Sequence, residues 1–169
     1  MKIDKSKTIV VTGGAGYIGS HIVLGLLDAG YEVVVVDKDK VACDYLIKRQ
    51  SRRKRLKVYN ADITNDVYMD GIFKNHNVGA VCHCAPYISV PESVDNPLKY
   101  YENNTAKTIN LLHRMKKNNI NVFLFASTAA VYGEPNGEAP ISEKTVCQPI
   151  NAYGESKLMI ETILRKHAL

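Results

Sequence analysis

The sequence predicts an α/β fold of the doubly wound type, in which helices cover both faces of a parallel sheet. Five short runs rich in β-branched residues alternate with longer segments whose apolar residues recur at helical spacing. One of these runs, 32–37, contains four consecutive valines. Such continuous apolarity is typical of a parallel strand that is buried on both faces. Together the alternation and the valine run indicate five strand-helix units.

The five predicted units follow one another without an internal repeat. The strands are expected at residues 8–12, 32–37, 56–59, 80–84 and 121–127. The helices are expected at residues 17–29, 41–52, 65–75, 97–118 and 151–167, with a loop at 133–149. Gly30 favours a left-handed end to the first helix, and Pro97 after Asn96 is typical of a first helical turn. In this fold the ligand lies at the carboxyl ends of the strands, so polar motifs are expected there.

Length and composition bound the class of protein. Residues 1–169 are enough for one domain with a core. No apolar run approaches the roughly 20 residues that span a bilayer. No apolar stretch follows Met1, so a cytoplasmic protein without a membrane segment is expected. The four cysteines show no Cys-x-x-Cys spacing and are predicted to be buried free thiols rather than metal ligands.

A basic run lies at 48–55, where six of eight residues are lysine or arginine. Such a run is typical either of a nucleic-acid patch or of the solvated end of a surface helix. A surface that binds single strands is expected to carry interleaved aromatic residues. The run contains none, so the second interpretation is favoured. No nucleic-acid partner is therefore expected.

A glycine motif joins the first predicted strand to the first predicted helix. Gly13, Gly16 and Gly19 share this segment with Tyr17 and Ile18, which open the helix. Glycines permit a sharp turn and close backbone approach to a pyrophosphate, and the N–H groups of a helix N-terminus attract anions. The motif favours a dinucleotide-binding Rossmann domain, although an ordinary strand-to-helix turn also uses glycine.

Two acidic positions follow the second and third predicted strands. Asp37 ends the second strand, where a carboxylate accepts hydrogen bonds from an adenosine ribose and repels a 2′-phosphate. NAD is therefore favoured over NADP, with Lys38 and Lys40 as the residues that argue against it. Asp62 with Ile63 is a candidate adenine contact, and a simple turn before a helix is the alternative.

A Tyr-x-x-x-Lys pair lies on the last predicted helix. Tyr153 and Lys157 are four residues apart and share one helical face. An ammonium beside a phenol favours the phenolate, which can act as a general base. Thr128, like Ser127 before it, supplies a hydroxyl at the end of the fifth strand that could bond the oxygen losing its proton. His83 lies inside the fourth strand and is better interpreted as a core histidine than as a catalyst.

Four segments match the motifs of a known family in its order and approximate spacing. They are TGGAGYIGSH at 12–21, ESVDNPLKYYENN at 92–104, STAAVYGEP at 127–135 and AYGESKLMIE at 152–161. On these residues the chain resembles the extended short-chain dehydrogenase/reductase family, and in particular its members that epimerise nucleotide sugars. The similarity covers nearly the whole chain from Thr8 onward.

The resemblance implies a tightly bound NAD, a UDP-hexose substrate, and oxidation followed by reduction at C4 of the sugar. In the family, NAD would be contacted at Gly13, Gly16, Tyr17, Ile18, Gly19, Asp37, Asp62, Ile63, Ala85, Asn103, Tyr153 and Lys157. The catalytic Thr, Tyr and Lys fall on Thr128, Tyr153 and Lys157. Dehydratases of the family carry Asp-Glu after the Thr, whereas Ala129 and Ala130 stand here. The helices at 97–118 and 151–167 could pair across a homodimer.

Two departures from the family pattern bear on function. Pro86 lacks an N–H and Ile88 cannot hydrogen-bond, so weaker cofactor retention is expected. The chain also ends at Leu169, whereas family members continue into a C-terminal substrate domain, which is expected to be lacking here. Three hypotheses therefore stay open: a nucleotide-sugar 4-epimerase, a non-catalytic or partner-dependent NAD-binding fragment, and another C4-oxidising relative.

Overall fold

The computed structural model describes residues 3–134 and 140–166, and the chain divides into two compact units. The sheet unit comprises residues 3–85 and 111–126. The helical unit comprises residues 86–110 and 127–166. The chain thus leaves the sheet unit after Ala85 and rejoins it at Leu111, in the course of a helix.

The sheet unit is built from five parallel strands. They are β1 (Thr8–Thr12), β2 (Glu32–Asp37), β3 (Leu56–Asn60), β4 (Val78–His83) and β5 (Phe123–Phe125). The helices that connect the first four strands are α1 (Tyr17–Asp28), α2 (Lys40–Arg49) and α3 (Asp66–Asn75). The strand order β3-β2-β1-β4-β5, with every neighbouring pair parallel, confirms the predicted fold class.

Side chains that cap the helices fix where the chain turns after each strand. The Asp39 carboxylate accepts a hydrogen bond from the Ala42 N–H at 3.0 Å and begins α2. The Asn65 side chain accepts one from the Tyr68 N–H at 3.2 Å and begins α3, as the sequence predicts. Helix α1 differs, because Gly16 precedes it without a side-chain cap. Its first N–H groups are therefore left to another acceptor.

The helical unit contains short helices and one long one. They are α4 (Val90–Asp95), α5 (Pro97–Tyr100), a π-helical segment (Tyr101–Ala106), the start of α6 (Lys107–Lys117), a 3₁₀ turn (Ala129–Tyr132) and α7 (Ala152–Lys166). Its large buried apolar side chains include Tyr100, Val131 and Ile160. Among the described residues, no helix of either unit is long and apolar enough to cross a membrane.

Several elements differ in their bounds from the sequence prediction. The fourth strand starts two residues early and ends at His83, and the fifth pairs only Phe123–Phe125 with β4. The helix predicted at 97–118 is interrupted by the π-helical segment, for which local spacing carries no signal. Helix α4 was missed, although Ser89 caps it by accepting from the Glu92 N–H at 3.3 Å.

The remaining expectations are met in part. Cys43 and Cys82 are buried free thiols, whereas Cys84 and Cys147 are only half-buried. Residues 133–134 and 140–149 of the predicted loop form neither helix nor strand, and 135–139 lie outside the described residues. The last residue predicted for the final helix, His167, lies outside them as well.

One face of the sheet packs against α1 and α2 to form the main core. Its buried members are Ile9, Val11, Val23, Leu27, Val33, Val35, Leu46, Ala80 and Cys82. The valines of β1 and β2 occupy adjacent positions in register, Val11 beside Val35. Because β-branched side chains fit the pleated surface, the valine-rich runs favour both the strand and its burial.

We expect Val11→Ala to lower the free energy of unfolding by about 2 to 3 kcal/mol, because Val11 is fully buried and the substitution leaves a cavity. Val67→Ala is the matched control, since Val67 is 82% exposed on α3 and loses almost no contact. Urea denaturation of both variants measures the difference. Equal losses in the two variants would contradict this view of the core.

Candidate functional site

The loop between β1 and α1 is pressed against the end of β4. Gly13 adopts a φ of +69°, and a Cβ placed on it would lie 2.3 Å from the Cys84 carbonyl oxygen and 2.7 Å from the Ala85 nitrogen. A Cβ on Gly19 would lie 2.1 Å from the Gly13 carbonyl oxygen, so the loop also closes on the first turn of α1. Only glycine fits either position. The motif therefore forms a tight backbone cradle.

The cradle opens onto the uncapped N-terminus of α1. Gly16 is exposed, and Tyr17 and Ile18 beyond it are 84% and 60% exposed. Two apolar side chains therefore face outward beside the helix N-terminus. The free N–H groups and the positive end of the helix dipole suit an anion such as a pyrophosphate.

Asp37 lies beside this cradle at the end of β2. Its two carboxylate oxygens accept hydrogen bonds from the Ala15 N–H at 3.1 Å and from the Asp39 N–H at 3.0 Å. Each carboxylate oxygen has a second lone pair, so acceptor capacity remains for a ribose. The carboxylate is thus fixed in orientation by two backbone groups. Lys40, which argued against NAD, is paired with Asp44 at 2.7 Å.

The Asp62–Ile63 pair fits its alternative interpretation more directly. The Asp62 carboxylate accepts from both the N–H and the hydroxyl of Thr64, at 2.9 and 2.8 Å. This bonding forms the turn that leads into α3, while Ile63 is buried at 7% exposure. A contact with adenine stays a prediction.

Beneath the cradle, β1 and β4 are joined by a buried side-chain hydrogen bond. Thr12 Oγ1 and His83 Nδ1 are 2.6 Å apart, and both side chains are buried. The His83 ring also stacks on Phe123 and Phe125, with centroids 5.9 and 6.1 Å away. His83 is therefore the core histidine that the sequence predicts, and it supports the strand ends that carry the loop.

In the helical unit, the Tyr-Lys pair lies at the start of α7. Tyr153 is half-buried and Lys157 is 1% exposed. The Tyr153 ring meets the ring of Tyr100 edge-on, with centroids 6.4 Å apart. A surface Tyr-Lys pair would leave the lysine solvated, so the burial of Lys157 separates this pair from a chance match.

The 3₁₀ turn that follows Thr128 brings this residue next to the first turn of α7. Its Oγ1 accepts a hydrogen bond from the Ala130 N–H at 3.2 Å, which leaves the hydroxyl proton to donate elsewhere. A Cβ on Gly154, the residue after Tyr153, would lie 2.5 Å from the Ala130 carbonyl oxygen. The two backbones are thus in direct contact. Ser127 differs from Thr128, because its hydroxyl donates to Glu161.

Asn103 and Asn104 lie in the π-helical segment, and both are buried. Asn103 Nδ2 donates to Asn104 Oδ1 at 3.0 Å. Asn104 also accepts from the Tyr87 N–H at 2.8 Å and donates to the Tyr87 carbonyl at 3.1 Å and to Ser156 Oγ at 3.2 Å. Asn104 therefore ties the π-helical segment to α7 beside Lys157. Sequence reasoning chose Asn103 and missed Asn104, although both belong to the motif.

A second group that sequence reasoning missed holds Tyr100 in place. Its hydroxyl donates to Glu92 at 2.9 Å, and Lys99 is paired with the same carboxylate. Burial raises the pKa of the Tyr100 phenol, and the bond to Glu92 raises it further. Hydrogen bonds from Lys99 and then Tyr100 lower the pKa of Glu92. The aromatic wall beside Tyr153 is thus anchored by an ionised carboxylate. The sequence signal for this group was the segment ESVDNPLKYY at 92–101, in which Glu92 precedes Lys99 and Tyr100.

The structure brings the predicted residues together in two sets. The sheet unit gathers the glycine cradle, Asp37 and Ala85, while the helical unit gathers Thr128, Tyr153 and Lys157 with Asn103 nearby on the π-helical segment. Ile88, which departs from the family pattern, is 71% exposed. The roles of the residues in both sets stay predictions.

Comparison with known proteins identifies the family. Residues 9–169 match the family described as the NAD dependent epimerase/dehydratase family. The chain is 46% identical over 158 residues to a UDP-glucose 4-epimerase of Streptococcus mutans, covering 93% of this chain and 46% of that protein. It is 42% identical to a UDP-glucose 4-epimerase of Schizosaccharomyces pombe, again covering 46% of that protein. The chain therefore spans about half the length of the curated relatives it matches.

Solved structures give the same result for the fold. The UDP-Glc/GlcNAc 4-epimerase of Campylobacter jejuni matches with a TM-score of 0.87 at 39% identity, over 95% of this chain and 48% of that one. The UDP-glucose 4-epimerase of Bifidobacterium longum, in complex with NAD+ and UDP, matches with a TM-score of 0.86 at 40% identity, over the same shares. The resemblance inferred from the motifs is confirmed.

We expect Gly13→Ala to destabilise the protein by about 1 to 3 kcal/mol, because it combines a left-handed backbone with a clash against Cys84. Gly25→Ala is the control, since a Cβ at Gly25 meets nothing within 4 Å on the exposed side of α1. Removing that helical glycine should stabilise by about 0.5 to 1 kcal/mol. Urea denaturation gives both values, and a shift of the same sign in both variants would refute the cradle.

Proposed function

The chain belongs to the NAD dependent epimerase/dehydratase family, and we propose that it carries the cofactor and catalytic residues of a UDP-glucose 4-epimerase. Such an enzyme interconverts UDP-galactose and UDP-glucose through a 4-keto sugar with tightly bound NAD. The observation that carries the proposal is the contact between Gly154 and the Ala130 carbonyl, which sets Tyr153 and buried Lys157 beside the turn after Thr128.

The glycine cradle fits the NAD pyrophosphate because it offers bare backbone and unpaired N–H groups at the start of α1. The Asp37 carboxylate would accept hydrogen bonds from the hydroxyls of the adenosine ribose. Its negative charge disfavours the 2′-phosphate of NADP. Ala85, Asn103, Asp62 and Ile63 are proposed to line the rest of the cofactor, with Tyr153 and Lys157 nearest its reactive end. When bound, NAD supplies reversible oxidation at C4 of the sugar.

The chain's own groups handle the proton at O4. Tyr153, as the phenolate, accepts the proton from the C4 hydroxyl. The Lys157 ammonium stabilises the phenolate, and its burial strengthens that attraction by removing screening water. Thr128 keeps a hydroxyl proton that can donate to the same oxygen, since its own oxygen is already held by the Ala130 N–H. The proton returns from Tyr153 when C4 is reduced again on its other face.

The residues after Thr128 argue against elimination chemistry. Ala129 and Ala130 occupy the positions where dehydratases of the family carry an acid and a base. Without carboxylates there, loss of water from the sugar has no proton donor or acceptor at these positions. Oxidation and reduction at C4 is the reaction that the remaining groups can support.

The relatives are about twice as long as this chain, so the full activity is part of the proposal. The other hypothesis, a NAD-binding unit that needs a partner for turnover, is decided by the experiment below. A homodimer through helices 97–118 and 151–167 is also proposed, supported by Leu98 and Met159, which are 73% and 38% exposed. A cytoplasmic location stays a prediction from the sequence.

The test is conversion of UDP-galactose to UDP-glucose by the purified chain with NAD, followed with a coupled UDP-glucose dehydrogenase. Tyr153→Phe should lower the rate by at least about 100-fold, because general base catalysis contributes that much. Tyr68→Phe, at an exposed position of α3, should leave the rate unchanged. An active Tyr153→Phe enzyme refutes the proposed base. NAD binding without turnover by the unmodified chain assigns it to the partner-dependent hypothesis.

Cofactor choice has its own test in Asp37→Asn. We expect NAD affinity to fall about 10- to 150-fold, because a charged hydrogen-bond acceptor is worth about 1.5 to 3 kcal/mol. NADP affinity should rise relative to NAD, since the carboxylate no longer repels a phosphate. Asp39→Asn is the control, because asparagine also caps α2. Calorimetric titration of both cofactors measures the ratio, and an unchanged NAD/NADP ratio in Asp37→Asn would exclude this role.

A further inference from the structure

The turn after α2 carries a dense positive charge. Residues 48–55 contain six lysines and arginines and no aspartate or glutamate. Two of these cations anchor the turn: Arg53 pairs with Asp28 at 2.6 Å, and Arg55 donates to the Gly30 carbonyl at 3.1 Å. The turn is therefore held against the end of α1 rather than free to swing.

The other cations of the turn remain available to a ligand. They are Lys48, Arg49, Arg52 and Lys54, all of them exposed. Within the described ranges 3–134 and 140–166, none of the four is paired with a carboxylate. Uncompensated positive charge on an anchored turn favours a polyanion.

Three cavities form a continuous track along this surface. The first, of 230 Å³, lies between α1 and α2 and is lined by Tyr17, Ser20, Tyr45, Arg49 and Gln50 among others. The second, of 390 Å³, is lined by residues 49–53 and shares Arg49 with the first. The third, of 310 Å³, is lined by residues 52–55 with Leu27. The first and second cavities share Arg49 and Gln50, and the second and third share Arg52 and Arg53.

The fold also supplies the aromatic side chain that the basic run lacks. Tyr45 precedes Arg49 by one helical turn and is 63% exposed. The Arg49 guanidinium lies 5.6 Å from the centroid of the Tyr45 ring. Aromatic rings and guanidinium planes are the groups on which unpaired bases stack, while neighbouring cations follow the phosphates.

We propose that this track, from Tyr45 to Arg55 on the sheet unit, binds single-stranded RNA. The expectation of no nucleic-acid partner rested on the absence of aromatic residues within the run. That absence is compensated by Tyr45 from the preceding helix. An acidic protein segment would satisfy the cations but would not need an exposed ring at the start of the track. The proposal does not require the epimerase activity, although the first cavity is also lined by Ala15, Gly16 and Tyr17 of the cradle proposed for NAD.

The test is fluorescence anisotropy of a labelled oligouridylate with the full chain. Four phosphate contacts give a slope of about −3 in log affinity against log salt, so affinity should fall about 50-fold between about 50 and 200 mM salt. The test variant combines Lys48→Gln, Arg49→Gln, Arg52→Gln and Lys54→Gln. The control, equal in net charge, combines Lys74→Gln, Lys116→Gln, Lys144→Gln and Lys166→Gln, four exposed lysines elsewhere. The test variant should lose binding and the control retain it.

A second comparison separates RNA from a general polyanion. Tyr45→Ala should weaken oligouridylate binding about 5- to 100-fold, because stacking on one base contributes that much, and Tyr45→Phe should restore it. Binding of heparin or inorganic polyphosphate should not respond to either change. Equal binding by the two four-residue variants, or oligouridylate binding that ignores Tyr45→Ala, overturns the proposal.

Discussion

The absence of a side chain at Gly13 is the constraint on which the ligand-binding edge of the sheet unit depends. Its backbone lies where any Cβ would overlap the Cys84 carbonyl, and its N–H bonds the Val36 carbonyl at 2.8 Å. The Cys84 N–H in turn bonds the Thr12 carbonyl at 2.8 Å. The carboxyl ends of β1, β2 and β4 are thereby joined around one residue. Asp37 gains its fixed orientation from the same loop, through Ala15.

In the helical unit, side-chain hydrogen bonds rather than close backbone contacts hold the segments together. Asn104 uses its amide group to join Tyr87, Asn103 and Ser156, and Thr105 adds a bond to the Ser156 carbonyl at 3.2 Å. An amide can donate and accept at once, so a single buried residue satisfies several neighbours. This arrangement fixes α7 at the turn that carries Lys157, where small displacements would matter most for the proposed proton transfer.

Much of the sheet unit could be predicted because its signals are local. A parallel strand buried on both faces must be apolar throughout, and the valines of β2 meet that condition. The glycine motif was predictable for the same reason, since close backbone approach excludes other residues. His83 was assigned correctly because an apolar strand surrounds it.

The rest depends on contacts between distant residues. The π-helical segment requires Asn104 to reach Tyr87 and Ser156, and helical periodicity contains no trace of those bonds. The different hydrogen bonds of Ser127 and Thr128 could not be predicted either, because they depend on Glu161 lying within reach of the Ser127 hydroxyl. Tyr45 beside the basic run was missed because the sequence separates them by a helical turn, whereas the helix brings Arg49 over its ring.

The π-helical segment also carries one residue more than a regular α-helix of the same rise would need. An α-helix turns by about 100° per residue, so a π-helical bulge represents one residue accommodated without extending the regular helix. Deleting one residue between Tyr101 and Ala106 would therefore restore an uninterrupted α-helix with α6 in its present register, and it would remove the bulge that holds Asn103 and Asn104. A deletion within α6 itself has no bulge to absorb it and would rotate the side chains that follow by about 100°.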